Sequence, residues 1–209
     1  MMDSYNVIIW DFDGVIKDSV EVKSVAYYLL FEPFGHDIAA RVRIHHESHG
    51  GMSRFEKLPI YLQLAGEEES VTQVNEYCLR FSQLVTKAVI DAPWVPGVEV
   101  YLRSNPYSQK FILVSATPHD ELIAILDALH LKACFFDIIG APVSKKKAIA
   151  MTLAAHSFDP VDCLMIGDAR EDQNAAQENN VQFLLRRHAT NAQLFVDYTG
   201  KSVKDFTGL

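Results

Sequence analysis

Val7-Ile8-Ile9-Trp10-Asp11-Phe12-Asp13-Gly14 decides how the rest of the chain is read. Four consecutive apolar residues with nothing polar between them describe a strand covered on both faces, as in the middle of a parallel sheet. In extended chain residues i and i+2 point to the same side, so Asp11 and Asp13 are expected to face one crevice. Gly14 permits a sharp turn directly after them. Apolar runs recur at residues 111–114, 135–139, 163–166 and 181–185, separated by helical spacing such as Leu122, Ile125, Leu126 and Leu129. That alternation predicts an α/β fold built on a parallel sheet.

Residues 19–92 interrupt the alternation with several helical patterns in succession and no convincing strand, and Pro93-Trp94-Val95-Pro96-Gly97 marks the return. The expected organisation is therefore an α/β domain made of residues 1–18 and 93–209, with a helical domain of residues 19–92 inserted into it. A length of 209 residues suits one domain carrying an insert. No internal repeat or low-complexity stretch is evident.

With 49% hydrophobic and 22% charged residues, the chain has ample material for a packed core. Its formal net charge of −8 repels nucleic-acid backbones and anionic membrane surfaces, so neither is expected as a partner. Cys78, Cys134 and Cys163 are far apart in sequence and form no Cys-x-x-Cys pair, which fits a reducing, cytoplasmic setting. The first apolar run is too short for a signal peptide, and no stretch reaches the ~20 apolar residues of a membrane span.

Ligands of open parallel sheets bind beyond the carboxyl ends of the strands, which directs attention to the polar residues after each apolar run. The first run ends in Asp11 and Asp13. The second ends at Ser115-Ala116-Thr117-Pro118, where Thr117 reads as a helix cap with Pro118 at the first helical position. After the third comes Ser144-Lys145-Lys146-Lys147, three cations in a first helical turn that a nearby anion would relieve. The fourth ends in Gly167-Asp168-Ala169-Arg170-Glu171-Asp172. Asp11, Asp13 and Asp168 together would repel one another unless a cation lay among them, and hard oxygen ligands describe Mg²⁺. Carboxylates, a divalent ion, a lysine and a hydroxyl form a site for moving a phosphoryl group.

These motifs, in this order across the whole chain, resemble the haloacid dehalogenase superfamily of phosphohydrolases. The resemblance implies a Rossmann-like core and a helical cap inserted after the first motif. It implies Asp11 as a nucleophile forming an aspartyl-phosphate and Asp13 as acid and base. Ser115 and Ala116 would contact the phosphoryl group, and one lysine of residues 145–147, aligned best with Lys145, would neutralise charge. Mg²⁺ would lie on the Asp11 carboxylate, the Asp13 carbonyl and Asp168, with Asp172 behind them. Gly50-Gly51-Met52-Ser53-Arg54 resembles a cap loop of β-phosphoglucomutase-like members, making Gly51 and Arg54 candidates for substrate contact.

The activity implied is hydrolysis of a small phosphorylated metabolite, such as a sugar phosphate. A β-phosphoglucomutase-like phosphomutase is the alternative, although Lys23 stands where those mutases place a histidine. Dehalogenase and phosphonatase chemistry fit less well, since Asp13 completes the acid pair. A Mg²⁺-binding receiver-like module is the non-enzyme alternative, and the order of elements argues against it. Oligomeric state is not readable from the sequence.

Other residues are expected to have ordinary roles. Glu56 and Lys57 read as surface residues. His45 and His49, at i and i+4, invite a zinc site, but no third ligand is evident. Tyr27, Tyr28, Phe31 and Phe34 read as helix packing.

Overall fold

The computed structural model describes residues 2–208. Its centre is β1 (Val7–Trp10), buried at every position. β1 pairs in parallel with β2 (Lys110–Pro118) on one side, Trp10 opposite Leu113, and with β4 (Cys163–Gly167) on the other, Trp10 opposite Ile166. β3 (Asp137–Ala141) extends the sheet beyond β2, while β5 (Gln182–Arg186) and the short β6 (Ser202–Val203) extend it beyond β4. The six strands run in the order β3-β2-β1-β4-β5-β6, every pairing parallel.

Strand alternation divides the core into two layers. Ile8, Trp10, Phe111, Leu113, Leu164 and Ile166 face one side, where α5 (Val98–Ser104) and α6 (His119–Ala128) pack through Val98, Tyr101, Leu122 and Ile125. Val7, Ile9, Ile112, Val114, Cys163 and Met165 face the other, covered by α7 (Lys145–His156) and α8 (Arg170–Glu178) through Ala148, Ile149, Ala175 and Ala176.

Between β1 and α5 the chain forms α1 (Val20–Phe31), α2 (His36–Ser48), α3 (Arg54–Ala65) and the long α4 (Val71–Asp91), with no strand among them. Ser70 begins α4 by accepting from the Gln73 amide at 3.3 Å, and Glu56 accepts from the Ser53 amide at 3.1 Å ahead of α3. The two segments joining these helices to the sheet lie side by side. Asp18 N donates to Pro93 O at 2.8 Å, and Val95 N to Ile16 O at 3.0 Å. Lys17 Nζ donates to Ile90 O at 2.9 Å and lies 4.3 Å from the Trp94 ring centroid.

Two local expectations need correction. β2 does not stop at Ser115 but continues to Pro118, and α6 begins at His119 with no side-chain cap. Thr117 is therefore no cap, and its hydroxyl is used elsewhere. Phe135 and Phe136 precede β3 rather than opening it.

Candidate active site

β1 delivers Asp11 and Asp13 to one cavity, which the strand spacing anticipated. The chain turns immediately: Ile16 N and Lys17 N both donate to Phe12 O, and Gly14 takes φ +76°. Glycine is needed there for a second reason, because a Cβ on Gly14 would lie 2.1 Å from Asp168 Oδ2. The tight turn thus lets the ends of β1 and β4 approach.

Lys145, the first residue of α7, is the buried member of its lysine run. Its Nζ lies 2.9 Å from Asp11 Oδ1 and 2.5 Å from Asp172 Oδ1. Lys146 and Lys147 are exposed, and Lys146 pairs with Glu178 at 3.0 Å. Of the three lysines, Lys145 alone is buried and in contact with Asp11. Asp172 also accepts from the amides of Asp168 (3.2 Å) and Ala169 (3.0 Å), fixing the loop after β4.

Asp168 receives His188 Nε2 at 2.8 Å, and its carbonyl accepts from Asn191 Nδ2 at 2.8 Å. Asp13 Oδ1 accepts from Ser19 Oγ at 2.7 Å, and its Oδ2 from Lys23 Nζ at 2.5 Å and Thr117 Oγ1 at 3.3 Å. Ser115 is buried, and its Oγ accepts from the Thr117 amide at 3.1 Å. Ala116 borders the cavity.

The electrostatics follow from this arrangement. Burial, repulsion from Asp172 and then from Asp168 hold the Asp11 carboxyl well above the usual carboxylate value, against the pull of Lys145. Burial also raises Asp168, with His188 opposing it. Burial would raise Asp13 too, but the Lys23 ammonium and the Lys23 and Ser19 hydrogen bonds bring it below its usual value. Lys145 is raised because Asp11 and Asp172 outweigh the desolvation that would lower it.

Oxygens of Asp11, Asp168 and Asp172 all lie within 4.8 Å of one another. An all-carboxylate set of this kind suits a hard divalent cation such as Mg²⁺. The Asp13 carboxylate is turned to Ser19, Lys23 and Thr117.

The helical segment closes the cavity from the other side. Arg54, at the start of α3, is buried and borders it, but its guanidinium is already engaged. Nη1 donates to Glu121 Oε2 at 2.8 Å and to Ser82 Oγ at 2.6 Å, and Nη2 donates to Glu121 Oε1 at 2.8 Å. Gly50 lines the cavity, whereas Gly51 packs against Glu171, whose Cβ would lie 2.7 Å from a Cβ at Gly51.

The expectation for Lys57 was wrong. It is 1% exposed, borders the cavity and donates to His46 Nδ1 at 2.8 Å. Glu56 is exposed, as expected. His45 and His49 stack on each other at 4.2 Å, and His45 Nδ1 meets Tyr61 OH at 3.0 Å. Among the described residues the only cluster suited to a metal is the aspartate one. Tyr27 packs on Phe81 at 4.0 Å and also lines the cavity.

Sequence reasoning missed His188 and Asn191. Both follow β5, so the rule that directs attention to strand ends would have found them.

The family model of the haloacid dehalogenase-like hydrolases matches residues 8–185. Among solved structures, β-phosphoglucomutase from Clostridium difficile is similar at 24% identity and TM-score 0.77, over 98% of this chain and 93% of that chain. A haloacid dehalogenase-like family hydrolase from Streptococcus pneumoniae is similar at 18% identity and TM-score 0.69, over 97% and 94%. At these identities the likeness is one of fold. No curated protein matches the chain.

Proposed function

The chain belongs to the haloacid dehalogenase-like hydrolases, and on that premise we propose that it is a Mg²⁺-dependent phosphatase acting on a small phosphorylated metabolite through an aspartyl-phosphate. The observation that carries this reading is the buried Asp11 carboxylate with Lys145 at 2.9 Å, in the same cavity as Asp13 and Asp168.

In the proposed reaction an Asp11 oxygen attacks phosphorus, and the ester P–O bond breaks. Asp13, held ionised by Lys23, relays a proton from the Lys23 ammonium hydrogen-bonded to it to the departing alkoxide. A water then attacks the phosphorus of the acyl phosphate and passes a proton to Asp13, and cleavage of the P–O bond to Asp11 restores the carboxylate. Lys145 neutralises phosphoryl charge, and Ser115 with Ala116 supports the phosphoryl oxygens. Asp11, Asp168 and the Asp13 carbonyl would hold Mg²⁺, with Asp172 anchoring Lys145 and the β4 loop. When bound, the ion supplies positive charge against the carboxylates and the phosphoryl group.

Residues 19–92 act as a cap over a core of residues 1–18 and 93–209, joined by the paired segments around Lys17 and Trp94. Gly51 belongs to the cap loop that frames the substrate side, and Arg54 borders that side with its guanidinium oriented by Glu121. The cavity of about 60 Å³ suits a small molecule. The three cysteines, all free, suit the cytoplasm.

Phosphate release from a panel of phosphate esters, with and without EDTA, tests the reading. Release that EDTA abolishes and Asp11→Asn eliminates is expected. Turnover intact in Asp11→Asn overturns it. With glucose 1-phosphate as substrate, free glucose supports hydrolysis, and glucose 6-phosphate would mean phosphomutase.

A further inference from the structure

Four side-chain cations border the cavity: Lys23, Arg54, Lys57 and Lys145. Three are held by carboxylates, namely Lys23 by Asp13, Arg54 by Glu121, and Lys145 by Asp11 and Asp172. Lys57 has no carboxylate within ion-pair distance among the described residues. Its hydrogen-bond partner is His46 Nδ1, itself buried and bordering the cavity.

The chemistry of that contact is directional. An ammonium only donates, so His46 Nδ1 accepts, which leaves the imidazole neutral with its proton on Nε2. The pair therefore offers N–H donors and a positive charge that no carboxylate meets within ion-pair distance, the Glu171 carboxylate acting on it only from farther off. The Tyr27 ring face, 5.8 Å from Lys57 Nζ, adds apolar surroundings and no counter-charge. A buried ammonium without an anion is costly, and the missing partner is what a ligand can supply. Lys57 comes from α3 of the helical segment, whereas Asp11 and Lys145 come from the sheet and α7, so an anion at Lys57 is assigned to the part of the substrate that leaves rather than to the phosphoryl group transferred.

We propose that the Lys57–His46 pair is a second anion-recognition site, and that the substrate is a phosphate ester whose leaving group carries its own acidic group, a carboxylate or a second phosphate. The proposal rests on the phosphatase reading for the placement of the first phosphate. It does not use Arg54, whose charge Glu121 already meets.

Matched substrate pairs test it. 2-Phosphoglycerate against glycerol 2-phosphate reads a carboxylate. Fructose 1,6-bisphosphate against fructose 6-phosphate reads a second phosphate. The two-acid member of one pair is expected to have kcat/KM about tenfold or more above its partner, as one charge-assisted contact allows. Lys57→Met should erase that preference through KM while kcat holds, and His46→Gln should weaken it if Lys57→Met does not fold.

No preference in either pair overturns the proposal. So does a Lys57→Met variant that lowers both members by one factor, the behaviour of a lysine serving only Glu171, whose Oε2 is buried without a hydrogen-bond partner. If no ester is hydrolysed, the phosphatase reading falls by itself. Calorimetric binding of the same pairs to the wild-type protein then decides: tighter binding of a two-acid member supports the site, and equal binding rejects it.

Discussion

Arg54 and Glu121 meet through two parallel hydrogen bonds of 2.8 Å, fastening α3 of the helical segment to α6 beside the sheet. Both side chains are largely buried, and Ser82 completes the contact by donating to Glu121 Oε2 at 2.5 Å. Removing one partner strands a buried charge, whereas removing both does not. Glu121→Gln or Arg54→Met alone should therefore cost about 3–5 kcal/mol. The double variant Arg54→Met/Glu121→Leu should cost clearly less than the sum, in urea unfolding. Additive losses would mean that the pair does not couple the two segments.

Lys57 gives the fold a pH signature. Burial, and then repulsion from Lys23, push its ammonium down to about 7, from 10.5 in the open chain, against the weaker pull of Glu171. Below pH 7 both states carry the proton, and the cost of burying it is fully present. Between the two values the unfolded chain holds a proton that the folded chain has released, so stability rises with pH. Wild-type stability should climb by roughly 1–4 kcal/mol between about pH 7 and 9.5 relative to Lys57→Met. Parallel pH profiles for the two proteins would contradict this. The strain at neutral pH is what a binding site tolerates and a purely structural position would shed.

Lys145 stands between Asp11 and Asp172, and its removal leaves two buried carboxylates facing each other. Lys145→Met should lose activity by about 10²–10⁴-fold. It should also be destabilised in EDTA, by about 3–5 kcal/mol. Mg²⁺ should restore more stability to this variant than to the wild type, because the buried carboxylate cluster, freed of its lysine, binds a cation only when folded. Thermal unfolding with and without Mg²⁺ checks this. An ion effect equal in both proteins would place the cation elsewhere.

The parts of this site that were legible in the sequence are those at strand ends. Asp11, Asp13, Ser115 and Asp168 follow apolar runs, where backbone spacing points to position and side, whereas Lys145 is set apart from Lys146 and Lys147 only by the family resemblance. Asp172 was legible for a related reason, lying one helical turn beyond the end of β4. What escaped depends on contacts between distant elements. Glu121 looks like any acid in a first helical turn, and only the docking of α3 onto α6 makes it the partner of Arg54. Thr117 reads as a cap because Pro118 follows it, yet β2 runs on and turns the hydroxyl toward Asp13.

The charge of Lys57 points to the surface, although its position in α3 points inward. Arg54, Leu58, Tyr61 and Leu62 form a buried stripe at helical spacing, and residue 57 belongs to it. The general rule that lysine is exposed outweighed the periodicity, and it fails where a cavity supplies the polar surroundings.

The central claim is that Asp11 becomes phosphorylated during turnover. A crystal structure of the protein with Mg²⁺ and beryllofluoride tests it most directly. The account predicts a beryllofluoride adduct on an Asp11 carboxylate oxygen, with Lys145 against its fluorines and Mg²⁺ between Asp11 and Asp168. An adduct on another side chain, or an unmodified Asp11 at saturating reagent, would contradict it.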